Sequence, residues 1–466
     1  MTKLTLISSA IFSVLCSHSA LAATVNGKVT DEKNQPIENA TIHVHGKSQS
    51  VKTNKLGEFA IELDASGQLH ISKDNYSDSR ITVTESSNNI AIALKPTSIE
   101  TVVVFASALH KSSLEMISPV NVLSGDELRN KSKPTLGETL KGLPGVNASY
   151  FGPVSSSPII RGLDGPRVKS IGPDHATSSD SFAAEQIEVL RGPSTLLYGS
   201  GAIGGVVNVV DNRIPTSNID ELTGAVEYSH DSVSNANTYA AKLETGYNNF
   251  NFHFDGTKRS GDDYQTPRFN QLHEDGDVES KDSVENTFID SETVNFGTSY
   301  VGEHLTVGFS YGKIKTDYGI PGHEHDHGHE HDHAADGDAH SDEAHEETPV
   351  FAQLEQDRWQ GLLSYALHNN WIETINLRLG YTDYLHSEIE NGEIGTTFKN
   401  KTTEARLNIE HKFANWHGMI GYHYSDSDYD ANGEEAFTPA SVTTTNALYL
   451  LEEREFGDVT IELGAR

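Results

Sequence analysis

The chain has 466 residues, enough for several domains, and a formal net charge of −33, which disfavours nucleic acid as a partner. Only 36% of the residues are hydrophobic and the mean hydropathy is −0.46, values that exclude a bundle of membrane-spanning helices. A membrane β-barrel stays open, because its strands need an apolar residue only at every second position. Glycines (39) far outnumber prolines (15), and there are 17 tyrosines and 17 phenylalanines. This composition is typical of a chain with many strands and turns.

Residues 1–22 have the three parts of a secretory signal peptide. Lys3 supplies a basic start, an apolar run extends from Leu4 to Leu15, and Ala20-Leu21-Ala22 provides small residues for cleavage after the last of them. The run is too short for a spanning helix, which needs about 20 apolar residues. The only cysteine, Cys16, lies in this segment. We therefore expect an exported chain without disulfides, thiolate metal ligands or a cysteine nucleophile.

Residues 23–96 predict a small β-domain. Alternating stretches at Val25 to Thr30, Ile42 to His45 and Phe59 to Leu63 are the predicted strands, and Asn54 to Gly57 is a predicted turn. The pattern G-x-V-x-D, P-I-x-N-A-x-I and T-N-x-x-G-x-F is similar to the carboxypeptidase regulatory-like domains, which are small β-sandwiches. This resemblance implies a packing unit without peptidase activity.

Two histidines of this domain are spaced for one strand face. His43 and His45 are two residues apart and would both project from the same side of a strand, where they could chelate a metal ion. A merely polar strand face is the interpretation that we favour.

Residues 97–215 are of mixed character. A short β-prone run, Thr101 to Ala106, lies in a predicted linker at 97–117. In the predicted domain at 118–215, Thr135-Leu136-Gly137-Glu138 matches a capping box and predicts a short helix that ends by Gly145. Ile187 to Leu190 and Val206 to Val210 are predicted strands joined by a glycine-rich turn.

Residues 216–466 alternate between apolar and polar side chains over long segments. Phe250, Phe252 and Phe254 interleave with polar residues, as do the apolar residues from Leu305 to Tyr311 and from Ile375 to Tyr381. Tight turns alternate with long polar loops, predicted at 260–287, 321–350 and 426–441. The small, polar second face and this alternation of turns favour a transmembrane barrel over a soluble sandwich.

One long motif supports a family resemblance. Residues 184–208 read A-E-Q-I-E-V-L-R-G-P-S-T-L-L-Y-G-S-G-A-I-G-G-V-V-N, which resembles the plug signature of TonB-dependent outer-membrane receptors. L-G-E-T-L at 136–140, L-P-G-V at 143–146 and I-R-G at 160–162 are plug elements in the family's order. The resemblance implies a mainly β protein with three parts: an N-terminal β-sandwich, a mixed α/β plug and an antiparallel transmembrane β-barrel. Residues 216–466 would form about half of the family's roughly 22 strands.

The resemblance also implies partners and a location. In this family the TonB–ExbB–ExbD inner-membrane complex pulls on a short segment, the TonB box, which can add as a strand to a partner's sheet. The matching residues are Thr101, Val102, Val103, Val104, Phe105 and Ala106. We expect a monomer in the outer membrane of a Gram-negative cell, in contact with its lipid, with no cofactor and no enzymatic activity.

Two other motifs have plainer explanations. Gly199 to Gly204 spells the dinucleotide fingerprint G-x-G-x-x-G, but a strand is predicted after it where a nucleotide site needs a helix. His323 to His327 spells H-E-x-x-H, but its glycine-rich and acidic surroundings do not predict the rigid helix that a zinc protease needs. We expect neither site.

The strongest chemical signal is a histidine-rich loop. Residues 323–347 contain eight histidines and ten carboxylates, with no lysine or arginine between Lys315 and Arg358. Imidazole and carboxylate groups bind zinc, nickel and copper(II), so a solvated charge run is the weaker interpretation. The candidate ligands are His323, His325, His327, His329, His331, His333, His340 and His345.

A second candidate metal site lies in the plug. Asp174 and His175 resemble the aspartate–histidine pair of the zinc-type (ZnuD-like) receptors, and the histidine-rich loop is that subgroup's other mark. The resemblance implies import of a divalent transition metal, and zinc is the first candidate. Two alternatives stay open: a receptor for a metal chelate or siderophore, and a metal-binding protein that never enters a membrane.

The chain departs from the family in two places. About 11 strands are predicted between 219 and 466, and Leu463 to Arg466 lacks the terminal aromatic residue usual in the family. The stretch at 167–173 is shorter than the corresponding part of the family's plug, which usually has a further strand and loop there. We expect a receptor chain that is truncated at its C-terminus.

Overall fold

The computed structural model describes most of the chain. The described residues are 23–31, 33–44, 50–63, 67–73, 76, 79–84, 87, 89–95, 104, 116, 120–150, 156–164, 184–272, 276, 278–321, 349–367, 371–413, 416–433, 436–456 and 459–466. The chain divides into two units, Met1–Val102 and Val103–Arg466. Among the described residues, no helix combines the length and the apolar character needed to cross a membrane.

The first unit is a two-sheet sandwich. Its strands are β1 Ala23–Asp31, β2 Thr41–Val44, β3 Ser50–Lys52, β4 Glu58–Leu63, β5 Gly67–Ser72, β6 Ser79–Val83 and β7 Ile90–Leu94. One sheet has the order β4-β1-β7 and the other β3-β2-β5-β6. Val25 and Ile61 of the first sheet and Ile42, Leu69 and Ile71 of the second lie in one core cluster, each at most 1% exposed. The predicted β-sandwich is thus present.

The first part of the second unit mixes short helices and strands. Its elements are β8 Val120–Ser124, α1 Gly125–Lys131, α2 Leu136–Leu140, β9 Val146–Ala148, β10 Pro158–Ile160, β11 Gln186–Leu190 and β12 Val206–Val210, with 3₁₀ helices at Gly192–Tyr198 and Ser200–Ala202. β11 lies between β8 and β12. The Thr135 hydroxyl accepts a hydrogen bond from the Glu138 amide at 3.3 Å, so the predicted N-cap of α2 is confirmed. The two predicted strands are present and paired, and the connection between them, expected as a glycine-rich turn, also contains two 3₁₀ helices.

The rest of the second unit is dominated by one antiparallel sheet. Its strands are β13 Thr223–Asp231, β14 Ala236–Tyr247, β15 Phe250–Gly261, β18 Ile289–Val301, β19 Leu305–Gly319, β20 Phe351–Ala366, β21 Ile372–Glu390, β22 Glu393–Phe413, β23 Trp416–Gly433, β24 Ser441–Phe456 and β25 Val459–Ala465, and β16 Gln265–Leu272 and β17 Val278–Ser283 form a separate hairpin. The eleven sheet strands follow chain order. Within the described residues the sheet is open, because β13 and β25 are its outermost strands.

The two faces of this sheet differ in polarity. Phe252, Phe254 and Phe309 project from one face and are 40–45% exposed. Asn251 and His253, which alternate with the phenylalanines along β15, project from the other face and are at most 1% exposed. The polar side chains are therefore the covered ones and the apolar side chains the exposed ones, the reverse of a soluble sandwich.

Two predicted loops contain more strand than expected. The stretch at 260–287 includes the β16–β17 hairpin, and β23 continues to Gly433, well into the stretch predicted as a loop at 426–441. The reason is that polar side chains continue the cross-strand pairing: Asp426 lies opposite Thr444, whose hydroxyl donates to the Asp426 carboxylate at 2.7 Å.

A buried threonine in the first unit allows a test of its packing. The Thr53 hydroxyl accepts a hydrogen bond from the Ala40 amide at 2.8 Å and donates one to the Ile37 carbonyl at 2.7 Å. Thr53→Val keeps the side-chain shape but leaves the buried Ala40 amide without its acceptor, at a cost of about 1–3 kcal/mol. We expect faster hydrogen exchange at the Ala40 amide. Thr53→Ser keeps the hydroxyl and should preserve Ala40 protection, so equal loss in both variants would contradict this assignment.

Candidate functional site at the polar face of the sheet

Most of the sequence-predicted site residues lie outside the described part of the chain. These are Asp174, His175, the eight loop histidines (His323, His325, His327, His329, His331, His333, His340 and His345) and, of the TonB box, Thr101, Val102, Val103, Phe105 and Ala106. Val104, which the structure describes, belongs to the predicted TonB box and is 0% exposed. The predicted signal peptide is also outside the described residues.

The structure does describe the two ends of the histidine-rich loop. β19 ends at Gly319 and β20 begins at Phe351, and these two residues are paired in register. The Ile320 amide donates to the Val350 carbonyl at 3.2 Å. The Asn286 side-chain amide donates to both the Ile320 and the Val350 carbonyl, at 2.8 and 2.6 Å. The loop therefore leaves and re-enters the sheet through a narrow neck that one asparagine holds together.

A buried histidine lies below this neck. Tyr318 and Tyr384 belong to a buried cluster, and the ring of His386, which is 0% exposed, lies 6.0 Å from that of Tyr318 and 5.6 Å from that of Phe398. The Tyr384 hydroxyl is 3.4 Å from His386 Nδ1. Glu388, two residues further along β21 and 6% exposed, lies on the same strand. Sequence reasoning missed His386, although its alternation with Leu385 in β21 marks it as a residue of the polar face.

A second histidine connects the polar face to residues 211–219, which link the plug elements to the sheet and are called the linking segment below. His253 Nδ1 is 2.9 Å from a Glu244 carboxylate oxygen, and Nε2 is 2.8 Å from one of Asp255. The ring can donate to both carboxylates only when both nitrogens carry a proton. The Asn212 side chain donates to Glu244 at 2.7 Å, and Arg213 Nε donates to Asp255 at 3.3 Å. This charged network fastens the linking segment to β14 and β15.

Glycines of the polar face make room for the same segment. A Cβ atom at Gly297 would lie 1.6 Å from the Arg213 carbonyl oxygen, and one at Gly246 would lie 2.2 Å from the Ile219 carbonyl oxygen. The backbone of residues 211–219 thus approaches the sheet too closely for any side chain at these positions. This explains the glycines at these two positions of the polar face.

Buried polar groups also fix the plug elements to one another. Glu188 is 0% exposed and accepts hydrogen bonds from Gln186 at 2.6 Å and from Asn208 at 3.0 Å. The Arg191 guanidinium donates to the Pro144 carbonyl at 2.8 Å and also to Asn121. Burial lowers the pKa of Arg191 below its usual value, and the nearby Arg161 lowers it further. The conspicuous motif residues are therefore structural contacts of the plug.

The 3₁₀ helix after β11 packs against the far strands of the sheet. Leu197 lies in a cluster with Met419, Tyr449 and Leu451, and the Leu197 carbonyl accepts a hydrogen bond from Arg466 at 2.8 Å. The Arg406 guanidinium lies 4.9 Å from the centre of the neighbouring Tyr198 ring. Burial raises the pKa of the Tyr198 phenol, and the charge of Arg406 opposes that rise. The linking segment therefore contacts β14 and β15 near the start of the sheet, and the 3₁₀ helix contacts β23 and β24 near its end.

The polar face carries positive charge near this helix. Arg378 of β21 lies directly opposite Arg406 of β22, and Arg406 lies opposite His423 of β23. Arg466 is 3.0 Å from His423 Nδ1. The guanidinium groups of Arg378, Arg406 and Arg466 can together attract an anion. Within the described ranges, no group of three or more histidine, cysteine or carboxylate side chains is arranged to hold a metal ion.

Comparison with solved structures identifies the fold. The chain is similar to the FrpB iron transporter from Neisseria meningitidis (TM-score 0.57, 13% identity, covering 74% of this chain and 58% of that one) and to the copper transporter OprC (TM-score 0.52, 13% identity, 72% and 52%). It is also similar to the Serratia marcescens hemophore receptor HasR (TM-score 0.53, 14% identity, 74% and 51%). The chain spans about half the length of these structures. The sheet is thus part of a receptor-type β-barrel fold, as predicted.

Comparison with protein families is more specific. Residues 112–206 match the TonB-dependent receptor plug domain, and residues 24–95 match the carboxypeptidase regulatory-like domain. The chain therefore combines these two domains with the barrel fold, and the predicted resemblance is confirmed to that extent. The similarity is to transport receptors and not to enzymes.

The close approach at Gly297 gives a direct test of the plug–sheet contact. We expect Gly297→Ala to displace the linking segment from the sheet, since the added methyl group would overlap the Arg213 carbonyl. Trypsin should then cleave faster after Arg213, whose side chain is only 13% exposed. Gly380→Ala is the matched control, because a Cβ at Gly380 of β21 has no neighbour within 4 Å. Equal cleavage in both variants would contradict the contact.

Proposed function

We propose that this chain acts in the outer membrane of a Gram-negative cell as a monomeric TonB-dependent receptor that imports a divalent transition metal, with zinc first. The observation that carries the proposal is the run of eight histidines and ten carboxylates at 323–347, inserted between two strands whose ends are held together at one end of the sheet. The plug-domain match and the apolar exposed face of the sheet support the receptor class. Two of the similar structures are a copper transporter and an iron transporter, which supports a metal cargo.

The proposed route has three stages. The acidic, histidine-rich loop raises the local concentration of divalent cations and binds them loosely. Asp174 and His175 of the plug then take the ion. Finally the TonB complex engages Thr101 to Ala106 as an added strand and pulls, which releases the ion inward. Energy for the last stage comes from the partner, and the signal peptide at 1–22 delivers the chain to the envelope.

His386 extends this route on the basis of its position. It lies beneath the neck through which the loop joins the sheet, among Tyr318, Tyr384 and Phe398. A neutral imidazole there would be a further ligand for an ion that leaves the loop. We assign it to the passage from the loop towards the plug.

The loop histidines are tested by substitution. Replacing all eight with asparagine keeps the length and the negative charge of the loop but removes the nitrogen ligands that bind zinc. We expect uptake of radioactive zinc by a receptor-deficient strain carrying this variant to fall about tenfold at limiting zinc, and to recover at high zinc. Deletion of residues 323–345 should give the same concentration dependence. Unchanged uptake at every zinc concentration would remove the loop from the route.

The plug pair is tested by kinetics. Asp174→Ala together with His175→Ala removes two ligands from the proposed transfer site and should raise the zinc concentration for half-maximal uptake by about tenfold or more. Asp164→Ala, which removes a carboxylate ten residues before Asp174, is the control. If the double variant had wild-type kinetics, the pair would not lie on the route.

One observation favours a second candidate, a receptor for an anionic metal chelate or siderophore. The opposed Arg378 and Arg406 give the polar face a positive charge that suits a carboxylate-bearing ligand better than a free cation. Growth of the receptor-deficient strain, complemented with this chain, separates the two. Rescue by free zinc supports direct import, whereas rescue only by a chelated metal supports the second candidate.

A further inference from the structure

The register of the first unit brings two distant histidines together. His43 of β2 lies directly opposite His70 of the antiparallel strand β5. They are 27 positions apart in sequence, so neither spacing nor periodicity relates them. The neighbouring positions in this row are Ser50 of β3, opposite His43, and Arg80 of β6, opposite His70.

Both histidines project away from the core of the sandwich. Ile42 and Val44 flank His43, Leu69 and Ile71 flank His70, and all four apolar side chains are buried in the core cluster. Since side chains alternate along a strand, the two imidazoles lie on the opposite face. His70 is nevertheless only 4% exposed, and His43 is half-buried, so the pair lies in a partly covered position. Arg80 is exposed at the end of the row.

The geometry of opposed residues suits a shared ion. Directly opposite residues of an antiparallel pair have Cβ atoms about 4.5–5.5 Å apart. Residues i and i+2 of one strand are about 6.7 Å apart, so the pair His43–His70 is closer than the pair His43–His45 would be in a regular strand. Two ring nitrogens bound to one tetrahedral ion at about 2.1 Å lie about 3.4 Å apart, which opposed imidazoles can reach by side-chain rotation.

We propose that His43 and His70 form a two-histidine binding site for a divalent transition ion on the first unit. Two neutral imidazoles favour zinc, copper(II) or nickel over magnesium or calcium. Water fills the remaining coordination positions. His43 and His70 differ in sequence position from the histidine-rich loop and from Asp174 and His175, and the proposal does not depend on the import activity proposed above.

The test is hydrogen–deuterium exchange on the full chain in detergent, with and without zinc chloride. The eight loop histidines are replaced by asparagine in every sample to lower background binding. Amide exchange in these strands requires β2 and β5 to separate. An ion that binds only the folded pair slows this exchange by a factor of one plus the ratio of the free zinc concentration to the dissociation constant. We expect peptides covering 41–44 and 67–72 to exchange about a hundredfold more slowly at a hundred times that constant, and magnesium to have no effect.

Three variants make the test specific. His43→Ala and His70→Ala should each abolish the zinc-dependent slowing, whereas His45→Ala should keep it. Exchange without zinc shows whether each variant retains the fold, and the half-buried His43 is the safer substitution if His70→Ala unfolds. The proposal fails if zinc does not slow exchange in the parent chain. It also fails if a folded His43→Ala variant keeps the slowing, or if His45→Ala loses it. Zinc uptake is not measured, so these outcomes are independent of the import proposal.

Discussion

The alternation of side chains along paired strands is the constraint on which the second unit depends. Eleven antiparallel strands, in chain order apart from the intervening β16–β17 hairpin, pair with their neighbours, and a period of two assigns every side chain to one of two faces. Phe252 and Phe254 are placed on the exposed face by the same register that buries His253 on the other. A shift of one residue would exchange the faces, so the register and the polarity of the sheet are a single property.

The polar face owes its composition to what it contacts. Glycine at 297 and 246 is required where the backbone of the linking segment touches the sheet, and charged residues such as Glu244 and Asp255 hold that segment through His253 and Arg213. Charged contacts of this kind are favourable only while both partners remain in place, because removing one leaves the other buried and unpaired. The plug elements and the sheet are therefore mutually dependent, and the proposed transport requires that this dependence be broken by force.

Local patterns in the sequence predicted the parts of the fold that depend on nearby residues. The alternating segments, the Thr135 cap and the plug motif are each contained within a short stretch, and the structure contains them. The contacts of His253 with Glu244 and the pairing of His43 with His70 were not predicted, because both depend on which strands become neighbours. His386 was missed for a related reason: its surroundings come from β19 and β22. The extension of β23 past Asp426 was missed because polar strands resemble loops in sequence.

The claim that the apolar face of the sheet contacts lipid is tested most directly by spin labels along β19. Cys16 is the only cysteine of the chain and lies in the predicted signal peptide, so labels can be introduced one at a time at 306, 307, 309 and 310. In membranes, labels at Val307 and Phe309 should collide with dissolved oxygen and avoid a water-soluble nickel complex, whereas labels at Thr306 and Ser310 should lack this lipid-like preference. Equal collision of the nickel complex with labels at 307 and 309 would contradict the account.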